Sequence, residues 1–205
     1  MSATAVAGTR PRGSVMTALF VALGCTLLAS RAWLGPLAPP ARAGLYLLVF
    51  AAMLSGSLLM PATRAPLLAL GGTDRERRAR GAALPVAFVL AGGLVTIALA
   101  AVVAGTPVPL PVAAWTLPLS LLAAVAEEAL FRRVAYGQLL RWGALVAVVG
   151  AAFLFAIVHV PLYGVAALPV DLGAGLVFGW QRWASGTWTV PAATHAAANL
   201  VAVLR

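Results

Sequence analysis

Five acidic residues and two histidines are spread through a 205-residue chain, and two of the acids stand side by side at Glu127 and Glu128. The stretch Ala126-Glu127-Glu128-Ala129-Leu130-Phe131-Arg132-Arg133 follows an apolar run, Trp115 to Val125. Carboxylates in such surroundings are costly to bury, so their retention points to chemistry. Glu128 and Arg132 are four residues apart, share a helical face in the favourable order and can neutralise one another. Glu127 is turned about 100° away, aligns with Phe131 and has no local counter-charge, which makes it the candidate base. Counting outward from Trp142 puts Glu127 fifteen residues back and His159 seventeen forward. In an antiparallel hairpin these two reach nearly equal depth, and a carboxylate beside an imidazole can take a proton from water. His195 and Asn199, again four apart, can donate hydrogen bonds to a developing oxyanion.

The elements that must position these groups are helices suited to a bilayer. The chain is 62% hydrophobic and 9% charged, with a mean hydropathy of +1.00, whereas a soluble domain carries about 25% charged residues. The expected fold class is therefore all-α, a polytopic transmembrane helix bundle of about seven spans, with six or eight as alternatives. The spans are expected at Ser14 to Ser30, Gly44 to Met60, Ala82 to Ala104, from near Ala113 through the glutamates, from the Arg141-Trp142-Gly143 turn to His159-Val160-Pro161, at Tyr163 to Trp180, and at Trp188 to Leu204. Each approaches the ~20 residues a bilayer requires. The first is expected to be a retained helix rather than a cleaved signal, because further apolar runs follow at once. The Pro107 to Pro111 run cannot continue a helix. Residues 1–110 carry no recognised motif and 111–205 hold the chemistry, the whole forming one integrated membrane domain.

The net charge of +9 comes from fourteen arginines and no lysine. They sit mostly between apolar runs, as topology signals do, so nucleic acid is excluded as a partner. A cytoplasmic N-terminus puts Arg10, Arg12, the five arginines between Pro61 and Gly81, Arg132, Arg133, Arg141 and Arg182 on the cytoplasmic side, and leaves Arg31, Arg42 and Arg205 opposite. The chain is thus expected to be an integral membrane protein with its N-terminus inside, in a bacterial-type inner membrane. Trp115, Trp142, Trp180, Trp183 and Trp188 fall near span ends, as an interfacial belt would. The single cysteine, Cys25, excludes an intramolecular disulfide.

Other enzyme classes lack their residues. A zinc protease of the His-Glu-x-x-His type has no such string. Glu127, His159 and His195 remain an alternative zinc ligand set with an open position, although Glu and His activate water without metal, and no cofactor is expected. Ser55, Ser57 and Ser185 lack companion motifs, and Asp171 lacks a second intramembrane aspartate. Asp171 has three open roles: lining the cavity, binding substrate or pairing with an arginine.

Glu-Glu-x-x-x-Arg (Glu127, Glu128, Arg132), Phe-x-x-x-His (Phe155, His159) and His-x-x-x-Asn (His195, Asn199), in this order and each in an apolar run, resemble the intramembrane endopeptidases of the CPBP family. That family includes the Rce1-type CAAX prenyl proteases, the Abi proteins and the lysostaphin-resistance-like proteins. The stretches Gly175 to Trp180 and Ser185 to Trp188 are similar to the family as well. The resemblance covers about Leu117 to Val203 and implies a glutamic-type protease acting on a membrane-associated, prenylated or signal-bearing peptide or protein. It implies Glu127 as the base, His159 as its partner, His195 and Asn199 as the oxyanion site, and Glu128, Arg132 and Phe155 as supports of the pocket. Arg133 departs from the family, which often has a small residue there. The mechanism expected is attack by water that enters from the cytoplasmic side, between the fourth, fifth and seventh spans. The alternative class is a non-enzymatic membrane scaffold or a bacteriocin-immunity-type protein.

Overall fold

The computed structural model describes residues 12–60, 86–103 and 114–204. The arginine-rich connection after Met60, the Pro107 to Pro111 run, the N-terminal tail and Arg205 lie outside the described residues. Among those described, every regular element is helical. Helix α1 (Arg12–Ser30) runs into a 3-10 turn, Arg31–Leu34, and α2 (Pro39–Leu59) follows. It starts five residues before the expected span because Pro39 suits a first helical position, where its missing N–H costs nothing. Next come α3 (Val86–Val103) and α4 (Thr116–Glu128).

The chain does not stop at Glu128. It continues as a π-helical stretch, Ala129–Ala135, then a single turn, α5 (Tyr136–Leu139), and a 3-10 turn, Leu140–Trp142. Gly143, at φ 109°, breaks this run and opens α6 (Ala144–Ile157). A short α7 (Val160–Tyr163) and a 3-10 turn, Val165–Ala167, lie where the sixth span was expected to begin. Gly164 at φ 79° interrupts the helix there, and α8 (Leu168–Ser185) starts beyond it. Gly186 closes α8 in the left-handed conformation, the usual device for satisfying last-turn carbonyls. The last helix is α9 (Thr189–Leu204).

Three stretches are long and apolar enough to cross a membrane, Val15–Leu34, Pro39–Leu59 and Ala144–Tyr163, and Val86–Leu99 and Thr189–Leu204 are shorter apolar helices. On α6 the exposed residues Leu145, Val149, Phe153 and Ile157 recur every fourth position, a greasy stripe that suits lipid rather than water. Its opposite face packs on α8. The two backbones approach so closely that a Cβ on Gly175 would lie 2.9 Å from Ala152 Cα and one on Gly179 3.0 Å from Val148 Cγ1. Small residues one turn apart are how apolar helices reach such contact. Helix α9 packs on α4, α3 and α8, and α2 packs on α4.

One apolar core, including Leu28, Phe50, Met53, Leu130, Phe131, Phe155 and Phe178, joins α1, α2, the π stretch, α6 and α8. A polar tie runs beside it. The fully buried Gln181 of α8 donates to Val89 O of α3 at 3.1 Å and to Thr194 Oγ1 of α9 at 2.8 Å. In an apolar interior an unpaired amide is costly, so this pairing fixes how three helices meet.

Candidate active site

The two adjacent glutamates end α4 and are both buried. Each takes a different histidine. Glu127 Oε2 faces His159 Nε2 at 3.7 Å, and Glu128 Oε1 receives His195 Nδ1 at 3.0 Å. His159 closes the α6 end, and its Nδ1 lies 2.7 Å from Phe155 O. A carbonyl only accepts, so Nδ1 carries the proton and Nε2 is the nitrogen presented to Glu127. Between Glu127 Oε2 and that nitrogen there is no direct bond. A water placed there would find one acceptor in the carboxylate and, with the ring neutral, a second at Nε2.

Glu128 is the structural member. Arg132, wholly buried, grips both its oxygens, Nε to Oε2 at 3.1 Å and Nη1 to Oε1 at 3.2 Å, while Nη2 donates to Gly175 O at 3.0 Å. The guanidinium also lies 4.8 Å from the Phe155 ring and 5.3 Å from Phe178. A desolvated cation over aromatic faces gains about 2 kcal/mol or more. Phe155 is the hub of this cage. It meets Phe131, Phe178 and His195 edge-on and His159 at a tilt, and His195 stacks on Phe178 at 4.9 Å.

The π-helical stretch makes this possible. Its wider winding closes with Tyr136 N bonded to Phe131 O, five residues back, and Arg182 Nε reaches from α8 to Arg132 O at 3.1 Å. Such one-turn expansions inside α-helices concentrate at functional sites. Composition gives no sign of it. Arg133, the departure from the family pattern, causes no gap. It donates to Ser57 O and Leu58 O, capping the last carbonyls of α2, where a cation is favoured.

A cavity of about 430 Å³ opens onto Glu127, His159, His195 and Asn199. All four expected catalytic residues line it; Glu128, Arg132 and Phe155 stand behind it. Asn199 Nδ2 donates to Ser120 O of α4 at 2.9 Å, so one of its two amide protons is already engaged. Asp171 lies in the first turn of α8, where a carboxylate suits a helix N-terminus, and it is not part of the cavity wall.

The cavity differs from expectation in two respects. Its wall is not confined to the fourth, fifth and seventh spans, because α2 contributes Arg42, Tyr46 and Phe50 and the turn after α1 contributes Arg31. Arg31 also supplies the counter-charge that Glu127 lacks on its own helix, with Nη1 3.3 Å from Glu127 Oε1. From the sequence alone Arg31 has only a topological role. Secondly, the wall runs from the end of α1, the first half of α2 and the start of α4 down α4 to Glu127, and takes in the ends of α6 and α9. It therefore lies at the end of the bundle that α1 reaches last.

Among the described residues, no three His, Cys, Asp or Glu side chains gather as a metal site.

Residues 109–201 match the model of a family described as Rce1-like, type II CAAX prenyl endopeptidase. This segment is Rce1-like. No curated protein matches the chain, and no solved structure does. The Rce1-like segment holds both glutamates, both histidines and Asn199, whereas α1, α2 and α3 lie outside it. Together with the apolar helices, the family points to an integral membrane protein and to a protease acting on membrane-associated substrates.

Proposed function

We propose that the chain is a glutamic-type intramembrane endopeptidase that cleaves a membrane-associated, prenylated or signal-bearing protein or peptide. The observation that carries this reading is the Glu127–His159 pair, two proton acceptors facing one another at 3.7 Å on the wall of a cavity. Water between them donates a hydrogen bond to each. Its oxygen attacks the peptide carbonyl carbon as Glu127 takes a proton, and the carbonyl becomes a tetrahedral oxyanion. The free amide proton of Asn199 stabilises that charge, joined by His195 Nε2–H when the ring carries protons on both nitrogens, because Nδ1 is taken by Glu128. As the C–N bond breaks, the proton held by Glu127 passes to the leaving nitrogen, giving a carboxylic acid and an amine.

Glu128 with Arg132 orients His195 through Nδ1, leaving its other ring nitrogen for substrate. A positioning partner of this kind keeps a proton on Nδ1 and fixes the ring plane. The N-terminus is read as cytoplasmic from the arginine distribution. Removing the buried Arg31 and Arg132 from that count leaves ten arginines against two. The cavity then opens on the side away from the cytoplasm.

The test is proteolysis of a panel of membrane-tethered peptides, including isoprenylated C-termini, by purified protein and its Glu127→Gln variant. Cleavage that disappears in the variant supports the reading. A folded variant that cleaves as fast as wild type refutes it, and no cleavage by either turns the reading to a scaffold or immunity protein.

A further inference from the structure

Glu127 can serve as a base only if it is ionised and correctly turned. A carboxyl group buried with no cation tends to neutralise, and a neutral carboxyl accepts no proton from water. The cation comes from outside the Rce1-like segment. Arg31 sits in the 3-10 turn after α1 and is itself buried. Its Nε donates to Leu28 O at 3.0 Å, its guanidinium carbon lies 5.0 Å from the centre of the Phe50 ring, and its backbone carbonyl accepts from the Tyr46 hydroxyl at 3.4 Å. Thus α1 and α2 together aim Nη1 at Glu127 Oε1, 3.3 Å away. The two oxygens of Glu127 are divided: Oε1 to Arg31, Oε2 toward His159.

We propose that Arg31 is a positioning residue of the proteolytic site, holding Glu127 by Oε1 so that Oε2 is turned to the attacking water. The proposal rests on the function argued above. It makes the N-terminal helices part of the catalytic apparatus, so the Rce1-like segment is incomplete without the turn between α1 and α2. A purely structural role, a staple between α1 and α4, would show itself in stability but not in turnover per folded molecule.

The experiment uses full-length purified protein as wild type, Arg31→Gln, Arg31→Lys, Glu127→Gln and the Arg31→Gln/Glu127→Gln double variant. Cleavage of a tethered peptide and thermal unfolding in detergent are both measured. Arg31→Gln is expected to lower kcat about 10²-fold, with KM within about threefold of wild type, because Arg31, although on the cavity wall, is buried with Nε on Leu28 O and Nη1 on Glu127. Arg31→Lys, which keeps the charge, should recover about tenfold of that loss. Each single Gln variant should lower Tm, and the double variant should lower it by less than the two together, as contacting residues do.

An Arg31→Gln protein with wild-type kcat, or with only KM raised, overturns the positioning role, and additive changes in Tm overturn the pairing itself. Full cleavage by Glu127→Gln instead sinks the protease mechanism and the role of Arg31 with it. A wild-type protein that cleaves nothing while the Tm changes stay coupled also removes the catalytic role, leaving the pair as a staple.

Discussion

His195 Nδ1 lies 3.0 Å from Glu128 Oε1, with the carboxylate wholly buried and gripped on both oxygens by Arg132. The bond joins α9 to α4 and sets neighbouring glutamates to different tasks. Glu127 faces the cavity, and Glu128 faces the protein. Removing one member of a buried ion pair strands the other, which costs about 3–5 kcal/mol. Glu128→Ala, which strands the wholly buried Arg132, should therefore lower Tm and the amount of folded protein more than Glu127→Gln, which keeps an amide facing Arg31 and His159, and Glu127→Gln should reduce cleavage about 10²–10⁴-fold, the usual contribution of a general base. Parallel measurement of detergent-extracted yield and specific activity separates the two. Equal yields for both variants would show that the glutamates are not divided in this way.

Asn199 has one amide proton on Ser120 O and lines the cavity with the other available. Losing an oxyanion donor reduces kcat by about 10²–10³-fold. Asn199→Ala is expected to show that loss in kcat with a modest change in Tm, since the Ser120 carbonyl sits in a helix and keeps its intrahelical partner. If kcat is unchanged and only Tm falls, Asn199 is a tie between α9 and α4.

Much of this site is legible in the sequence because its members recur at helical spacing. Glu128 with Arg132, Phe155 with His159 and His195 with Asn199 are each four apart, and a charge in an apolar run announces itself. Arg31 was hidden by the same logic that found the others: at the end of a span an arginine reads as a topology signal, and nothing local links it to Glu127, ninety-six positions on. Gln181 and Thr194 are uncharged and were passed over. The glutamine's place in an apolar helix was the available signal, since buried amides must be paired. The π-helical stretch has no compositional signature because it is a choice of backbone winding that Arg182 and Arg132 satisfy. The late start of α8 was partly readable: Gly164 marks the break, and Pro169 in the first turn suits a helix start.

The α6–α8 contact gives an internally controlled prediction about packing. A Cβ at Gly175 would meet Ala152 Cα at 2.9 Å and Ala152 O at 3.0 Å, backbone atoms that cannot swing aside, whereas one at Gly173 meets nothing within 4 Å. Overpacking costs about 1–3 kcal/mol. The cost at Gly175 has a second part, because Gly175 O accepts the Arg132 bond. Gly175→Ala should lower both Tm and activity. Gly173→Ala, two residues away on the same helix, should be neutral or stabilising by up to ~1 kcal/mol from helix propensity. Similar Tm values for the two variants would show that the helices are not in close contact at Gly175.

Which side of the membrane the cavity faces follows from where α1 ends. Trp33, in the turn that carries Arg31, is 82% exposed, and Leu204, at the end of α9, is 71% exposed. Both belong to the cavity end, since Arg31 and Val203 line the same wall. Leu59, at the far end of α2, is 83% exposed at the opposite end. With Cys25 replaced by serine, Trp33→Cys, Leu204→Cys and Leu59→Cys give three single-thiol proteins. A membrane-impermeant maleimide applied to intact cells is expected to label the first two and spare the third, because the arginine excess holds the N-terminal end of α1 inside. The reverse pattern would put the cavity in contact with the cytoplasm and the N-terminus outside. The arginine excess would then fail as the orienting signal, while the contact between Arg31 and Glu127 would stand, since it depends on the fold and not on the side from which water enters.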